Sequence, residues 1–395
     1  MLIKEVSASS ILDSRGEKTI SVSIKTNVGS FSASSPNGKS KGKFETKPYK
    51  KTIEEDIKRL KEFSDYFSDD DMKGFEDLRL VEDIADGHIG ANTLFALESA
   101  VLKAVAKEQR KKVWQLINPK AKNFPRLVGN CIGGGKHSNS ERKPDFQEFL
   151  LIPKSTSVSE SFDVNRGAKM NAQFILKNID KKFNGKKNDE NAWVTSLDDK
   201  TTLEVLKDLK DNVMDEKKLY LNLGIDIASS SFYSRKKYKY KNPKLERTKE
   251  EQFGYLSNLI RNFNLFYIED GFEENDFESF SKLLKKFPNS LIIGDDLTVT
   301  NSKRLEKAIE NKSINGVIVK PNQCGSLLEV KRVCELAKKN NIKIIFSHRS
   351  GETEEDILAD LAFGFQADFF KCGIDGKERE AKIRRLVEIE RELKK

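Results

Sequence analysis

Six short apolar runs, each ending on a residue able to do chemistry, constrain this chain more than any other feature. LNLGID ends at Asp226, NLFYIE at Glu269, SLIIGD at Asp295, NGVIVK at Lys320, IKIIFSH at His348 and QADFFK at Lys371. After a longer first interval they recur roughly every 25 residues, the length of one strand, one helix and two loops in a β/α barrel. The stretches between them are amphipathic at helical spacing, as in Phe277-Phe280-Leu283-Leu284-Phe287 and Val330-Val333-Cys334-Ala337. One polar residue at a strand end is ordinarily a solvated or ion-paired group. Six in series predict a barrel whose C-terminal mouth carries the site. An open doubly wound sheet would also put functional groups at strand ends, but no Gly-x-Gly-x-x-Gly loop follows a first strand. Gly133-Gly-Gly-Lys-His137 fails as a phosphate-binding loop, because Lys136 is followed by histidine and Asn130 stands in the place of the first glycine.

The N-terminal part reads differently. Ile20, Val22 and Ile24 alternate with polar neighbours as a strand does, Ser35-Pro-Asn-Gly-Lys-Ser-Lys-Gly42 breaks the pattern, and Asn92–Gln115 has helical periodicity through Leu94, Leu97, Val101 and Val105. The fold class expected is therefore α/β, with an N-terminal α+β capping domain over residues 1–125 and a C-terminal β/α barrel over 126–395. The boundary falls near Asn123-Phe-Pro125.

Hydrophobic residues make up 37%, enough for a core of this size, and no run of ~18 apolar residues predicts a membrane span. The opening MLIKEVSASS lacks a basic stretch followed by an apolar one, so no secretory leader is expected and a cytoplasmic setting is. Cys131, Cys324, Cys334 and Cys372 have no metal-like spacing and read as reduced thiols. The net charge of +9 comes from 71 basic residues interleaved with 62 acidic ones. Tyr233-Ser-Arg-Lys-Lys-Tyr-Lys-Tyr-Lys241 alternates bases with aromatics in a way that can grip a single strand, yet it reads better as a twisted hairpin or loop with a solvated basic face. Nucleic acid is not an expected partner.

Asp226, Glu269 and Asp295 offer hard oxygen ligands from adjacent strands. That set suits Mg²⁺, and no histidine or cysteine accompanies it to favour zinc. Lys320 and Lys371 end two more of these runs. A lysine near other positive charge loses its proton more easily and can then take one from carbon. Carboxylates on a metal plus a lysine base are what proton abstraction next to a carboxylate requires.

Ile11-Leu-Asp-Ser-Arg-Gly16, Gly294-Asp-Asp-Leu-Thr-Val-Thr-Asn301, Lys320-Pro-Asn-Gln-Cys-Gly-Ser326 and Ser347-His-Arg-Ser-Gly-Glu-Thr-Glu354 resemble the signature segments of the enolase family. The resemblance extends into the closing Glu388-Ile-Glu-Arg-Glu-Leu393 and points to a diverged, archaeal-type or enolase-like member. It implies Mg²⁺-dependent dehydration of 2-phosphoglycerate to phosphoenolpyruvate. Asp226, Glu269 and Asp295 would hold the first ion, and Ser40, on a loop that closes over substrate, would help hold a second. Lys320 would remove the C2 proton. Glu190, supported by Glu148, would help the 3-hydroxyl leave. Lys371 would contact the substrate carboxylate side, Arg349 and Ser350 the phosphate, while His137 and His348 would line the reacting end. The resemblance also implies a homo-oligomer, a dimer or larger.

Several loop settings differ from the family pattern. Gly38-Lys-Ser-Lys-Gly42 places two cations beside Ser40, which either point into water as surface charge or draw in an anionic substrate. Asn188-Asp-Glu-Asn-Ala192 lacks three glycines around Glu190. Residues 139–144 carry an apparent insertion, and Cys372-Gly-Ile-Asp375 follows Lys371. An enolase-like enzyme acting on another phosphorylated or acidic substrate, and a non-catalytic binding protein of the same fold, remain the alternatives at this level.

Overall fold

The computed structural model describes residues 1–39, 42–67 and 71–394. The chain begins as an antiparallel sheet of β1 (Ile3–Leu12), β2 (Lys18–Thr26) and β3 (Gly29–Ser34), with β2 in the centre. Ile20, Val22 and Ile24 face inward on β2, as their alternation predicts. Helices α1 (Ile53–Glu62), α2 (Leu78–Ala85), α3 (Ala91–Glu108) and α4 (Val113–Ile117) follow. The continuous periodicity over Asn92–Gln115 is thus cut into two helices. Arg110 takes a left-handed conformation (φ 55°), and Lys111 N donates back to Ala106 O at 2.8 Å, closing α3 before the apolar pattern has ended.

Residues from 126 onward close into a barrel. Its strands are β4 (Arg126–Gly133) and β5 (Glu148–Pro153), then, after α5 (Val158–Ile179), a short outer strand β6 (Trp193–Val194) and α6 (Asp199–Lys217), β7 (Leu221–Asp226). The antiparallel strands β8 (Tyr233–Ser234), β9 (Lys237–Lys241) and β10 (Lys244–Arg247) then precede α7 (Lys249–Phe263). The barrel continues regularly through β11 (Tyr267–Glu269), α8 (Phe277–Lys286), β12 (Leu291–Gly294), α9 (Ser302–Glu310), β13 (Gly316–Val319) and the one-turn α10 (Pro321–Cys324). It ends with α11 (Leu327–Lys339), β14 (Lys343–Ser347), α12 (Ile357–Gly364), β15 (Phe369–Lys371) and α13 (Lys377–Leu393). The neighbour order is β4-β5-β7-β11-β12-β13-β14-β15, and β15 pairs back onto β4. All eight are parallel except β5, which runs antiparallel to both β4 and β7.

Strand period two divides the core. Val128, Leu150, Ile152, Tyr267, Ile293, Ile318, Ile345 and Phe369 fill the barrel interior, while Ile292, Val317, Ile344 and Phe346 pack outward with the helices. Side-chain caps start the helices: Asp198 accepts from Thr201 N, Asn301 from Arg304 N, and Thr248 and Glu251 form a reciprocal capping box. From β11 onward each strand therefore ends in a loop that leads into a helix. That geometry exposes the strand's last residue at the mouth.

The Tyr-Lys stretch forms part of the β8–β10 meander. Tyr238 and Tyr240 are buried, and Tyr240 donates from its hydroxyl to Gln252 at 2.7 Å. Their rings are core, not stacking platforms. The four cysteines are free, and no helix among the described residues is long and apolar enough to cross a membrane.

Candidate active site

Lys371 reaches from the end of β15 into a nest of carboxylates. Its Nζ lies 2.8 Å from Asp226 Oδ2, 2.9 Å from both oxygens of Glu269 and 3.3 Å from Glu148 Oε2. Lys320, just beyond β13, pairs through Nζ with Asp295 Oδ2. Two of the expected ligands, Asp226 and Glu269, share the Lys371 ammonium, while the third, Asp295, holds that of Lys320. Two further carboxyls join. Asp270 accepts from Asp295 N at 3.0 Å and Asp296 N at 2.8 Å, and oxygens of Asp270, Asp295 and Asp296 lie within 4.8 Å of one another.

So many buried acids raise one another. Burial and the neighbouring Asp226 push Glu269 up to about 8; burial and Asp295 push Asp296 up to about 8; burial and Asp296 push Asp270 well above the carboxylate range. Asp295 goes the other way: burial opposes its charge, but Lys320 outweighs burial and holds it low. The candidate ligands in this cluster are all hard carboxylate oxygens, which fits Mg²⁺ and not a softer metal.

Lys320 is fixed by its surroundings. Its backbone N donates to Thr300 Oγ1 at 2.9 Å, Thr300 donates to Gln323 Oε1 at 2.7 Å, and Gln323 Nε2 donates to Asp295 Oδ1 at 3.0 Å. Burial lowers the Lys320 pKa, but Asp295 more than offsets this, so the ammonium form is favoured.

Across the mouth, Glu190 accepts from Asn130 Nδ2 at 2.9 Å and lies 3.2 Å from His137 Nδ1 and 3.7 Å from His348 Nε2. Atoms of His137, Glu148 and Glu190 fall within 4.8 Å of one another. The two acids are driven apart. Burial and the charge of Glu190 push Glu148 well above the carboxylate range. Burial would raise Glu190 too, but the positive groups facing it hold it well below. Burial drives the His348 pKa far down, so that ring is neutral at neutral pH. The two carboxyls are thus set apart, Glu148 favouring its protonated form and Glu190 its ionised one.

The anion side lies where the N-terminal sheet meets the barrel. Arg349 Nη2 contacts Glu45 at 3.0 and 3.2 Å, and Ser350 Oγ accepts from Lys39 N at 2.9 Å. Gly38 passes so close to Arg349 that a Cβ there would sit 1.8 Å from Nη2. Ser40 and Lys41 lie outside the described residues, and with them the expected second metal ligand. Lys39 is described: its Nζ binds Asp189 Oδ2 at 2.6 Å, next to Glu190, rather than pointing into water.

One polar pocket is lined by His137, Glu148, Glu190, Asp226, Asp295, Lys320, His348, Arg349 and Ser350, with Glu269 and Lys371 fully buried outside that lining. Sequence reasoning missed Asp270, Asp296, Asn130 and Arg379. The first two were visible as second members of the doublets Glu269-Asp270 and Asp295-Asp296. Arg379 begins the last helix and donates to Asp189 O at 3.0 Å and Ser350 O at 2.9 Å, and no local pattern marks it.

Comparison with known proteins points to one family. The family model described as the enolase C-terminal TIM barrel domain matches residues 121–395. An enolase from Methanosphaera stadtmanae is 36% identical, the match covering 99% of this chain and 97% of that protein. One from Sulfurisphaera tokodaii is 38% identical over 98% of this chain and 95% of its own length. One from Picrophilus torridus is 34% identical over 99% of each.

Proposed function

The chain belongs to the enolase family and catalyses the reversible dehydration of 2-phosphoglycerate to phosphoenolpyruvate as a phosphopyruvate hydratase; we propose that Lys320 and Glu190 divide that reaction between them. The observation that supports this division is their placement in one pocket with opposite charge settings: Lys320 against Asp295, Glu190 against His137 and Asn130. Lys320 Nζ removes the proton at C2. The carboxyl pair of Glu190 and Glu148 gives a proton to the departing 3-hydroxyl, with Glu148 as the reservoir that keeps a proton in a buried site. His137 and His348 close this end against water, and Arg349 with Ser350 takes the phosphate, Glu45 yielding the guanidinium to it.

Asp226, Glu269 and Asp295 are the residues that would hold Mg²⁺, with the Ser40 loop contributing to a second ion. Bound there, magnesium would supply positive charge that stabilises charge developing on the substrate carboxylate. Lys371, among Asp226, Glu269 and Glu148, keeps three acids at fixed positions and presents its charge toward the substrate carboxylate side. We further infer a capping unit over 1–125 on a catalytic barrel over 126–395, assembled as a homodimer or larger in the cytoplasm. Family membership supports this reading.

The test is direct. Phosphoenolpyruvate formation from 2-phosphoglycerate with Mg²⁺ should be lost in Lys320→Ala. Turnover undiminished in that variant would refute the assignment of the base.

A further inference from the structure

The turn that carries Glu190 is gripped from outside the pocket. Its two arms pair, with Asn188 N donating to Ala192 O at 2.9 Å and Val194 N to Lys186 O at 3.0 Å. The Asn188 side-chain oxygen closes the turn from within, accepting from Glu190 N at 3.0 Å and Ala192 N at 2.9 Å. Asn191 holds the left-handed conformation (φ 61°) that asparagine tolerates better than most residues. Its carbonyl receives Nζ of Lys169, a lysine of α5 whose side chain is 4% exposed.

The same ammonium binds Asp375 Oδ1, and the other oxygen of Asp375 takes Lys187 Nζ at 2.8 Å. Asn191 Nδ2 also donates to Asp375 O at 3.4 Å. Both ammoniums lie over the Trp193 ring, 5.5 and 5.2 Å from its centre, and Trp193 Nε1 donates to Lys169 O at 2.8 Å. Asp375 stands in the loop after β15, the strand that ends on Lys371. One carboxylate thus ties the loop of Lys371 to the turn of Glu190.

We propose that Asp375 is a positioning residue for Glu190: by clamping Lys169 and Lys187 it fixes the 188–192 turn, and with it the carboxylate that serves the 3-hydroxyl. This rests on the reading of Glu190 given above. Asp375 is the one carboxylate bound to Lys169 among the described residues, and a buried ammonium deprived of its counter-charge must move or draw in water. Lys169 reaches the turn directly through Asn191 O, so its movement displaces the residue next to Glu190. Lys320 sits in a separate network of Thr300, Gln323 and Asp295 that the clamp does not touch. Its proton abstraction is therefore spared.

The test compares two rates in the full-length enzyme with Mg²⁺ and 2-phosphoglycerate: deuterium entry at C2 from heavy water, and phosphoenolpyruvate formation. Asp375→Ala should slow product formation about 10- to 100-fold, the cost expected of a small misplacement, while C2 exchange stays within about twofold because it needs only the base. Asp375→Glu should recover part of the loss and Asp375→Asn should not, since charge rather than shape holds Lys169. Equal loss of both rates would mean a general structural role, and no loss would mean a surface ion pair; either overturns the proposal. If Asp375→Ala fails to fold, Lys187→Met removes only the outer half of the clamp and should give a smaller split in the same direction. Glu190→Gln with dehydration intact would instead refute the reading of Glu190 itself, whatever Asp375 does.

Discussion

Lys320 can take a proton only after losing its own, and Asp295 opposes that loss by favouring the ammonium. Its readiness as a base therefore depends on what else engages Asp295. Glu190 has the converse difficulty: it is held ionised, while Glu148 favours its protonated form. Lys320→Ala should abolish C2 exchange and dehydration alike, by about 10²–10⁴-fold for loss of a positioned base. Glu190→Gln should retain exchange and lose dehydration, so equal loss of exchange in both variants would show the division of labour to be wrong. The raised Glu148 pKa also fixes the sign of a pH effect. The proton is present below that raised value and lost above it, so dehydration should fall as pH rises before C2 exchange does. Coincident pH profiles for the two rates would contradict a reservoir on Glu148. These residues were legible because motif segments carry most of them. Arg379 was not, since its role comes from packing α13 beside two loops remote in sequence.

At the scale of elements, apolar runs ending in polar residues revealed strands β7 and β11–β15, because a strand buried on both faces reads as a continuous apolar block. Strands β4 and β5 did not stand out. Arg126-Leu-Val-Gly-Asn-Cys-Ile-Gly133 is interrupted by glycine and asparagine, and its Gly129 is needed because a Cβ would lie 2.7 Å from Ile374. β5 departs from the parallel rhythm altogether. The interior that supports the mouth is thin, and its layers can be tested. Ile345 is fully buried inside the barrel on β14, two residues before the strand's end. Ile345→Ala should cost about 2–4 kcal/mol of stability, the usual range for such a truncation in a packed core. Denaturant titration would measure it, and a loss below about 1 kcal/mol would mean that the interior relaxes around the gap.

For the molecule as a whole, the N-terminal part is hydrogen-bonded to the loops at the barrel mouth. Asn37 and Gly351 exchange backbone hydrogen bonds at 2.7 and 2.9 Å, Asn322 donates to Pro36 O at 3.0 Å and to Asn92 at 2.9 Å, and buried Glu98 accepts from Leu327 N at 2.7 Å. The sequence leads one to expect two units but carries no sign of these contacts, which join residues hundreds of positions apart. A cation entering the carboxylate cluster consequently binds only the assembled fold, because the unfolded chain does not gather Asp226, Glu269 and Asp295. Binding to the folded state alone stabilises it by RT ln(1 + [L]/Kd), about 2.7 kcal/mol when the ion is at 100 times its Kd. Raising Mg²⁺ should therefore raise Tm progressively, beyond the effect of a monovalent salt matched in ionic strength. Chelation should remove both this increment and the activity while leaving a cooperative unfolding transition, since Lys371 and Lys320 still neutralise much of the cluster. Asp295→Asn should flatten the dependence of Tm on Mg²⁺, because it deletes an anionic ligand and leaves Lys320 without its partner. Full turnover in chelator, or a Tm indifferent to Mg²⁺ in the unmodified chain, would remove the metal from the account.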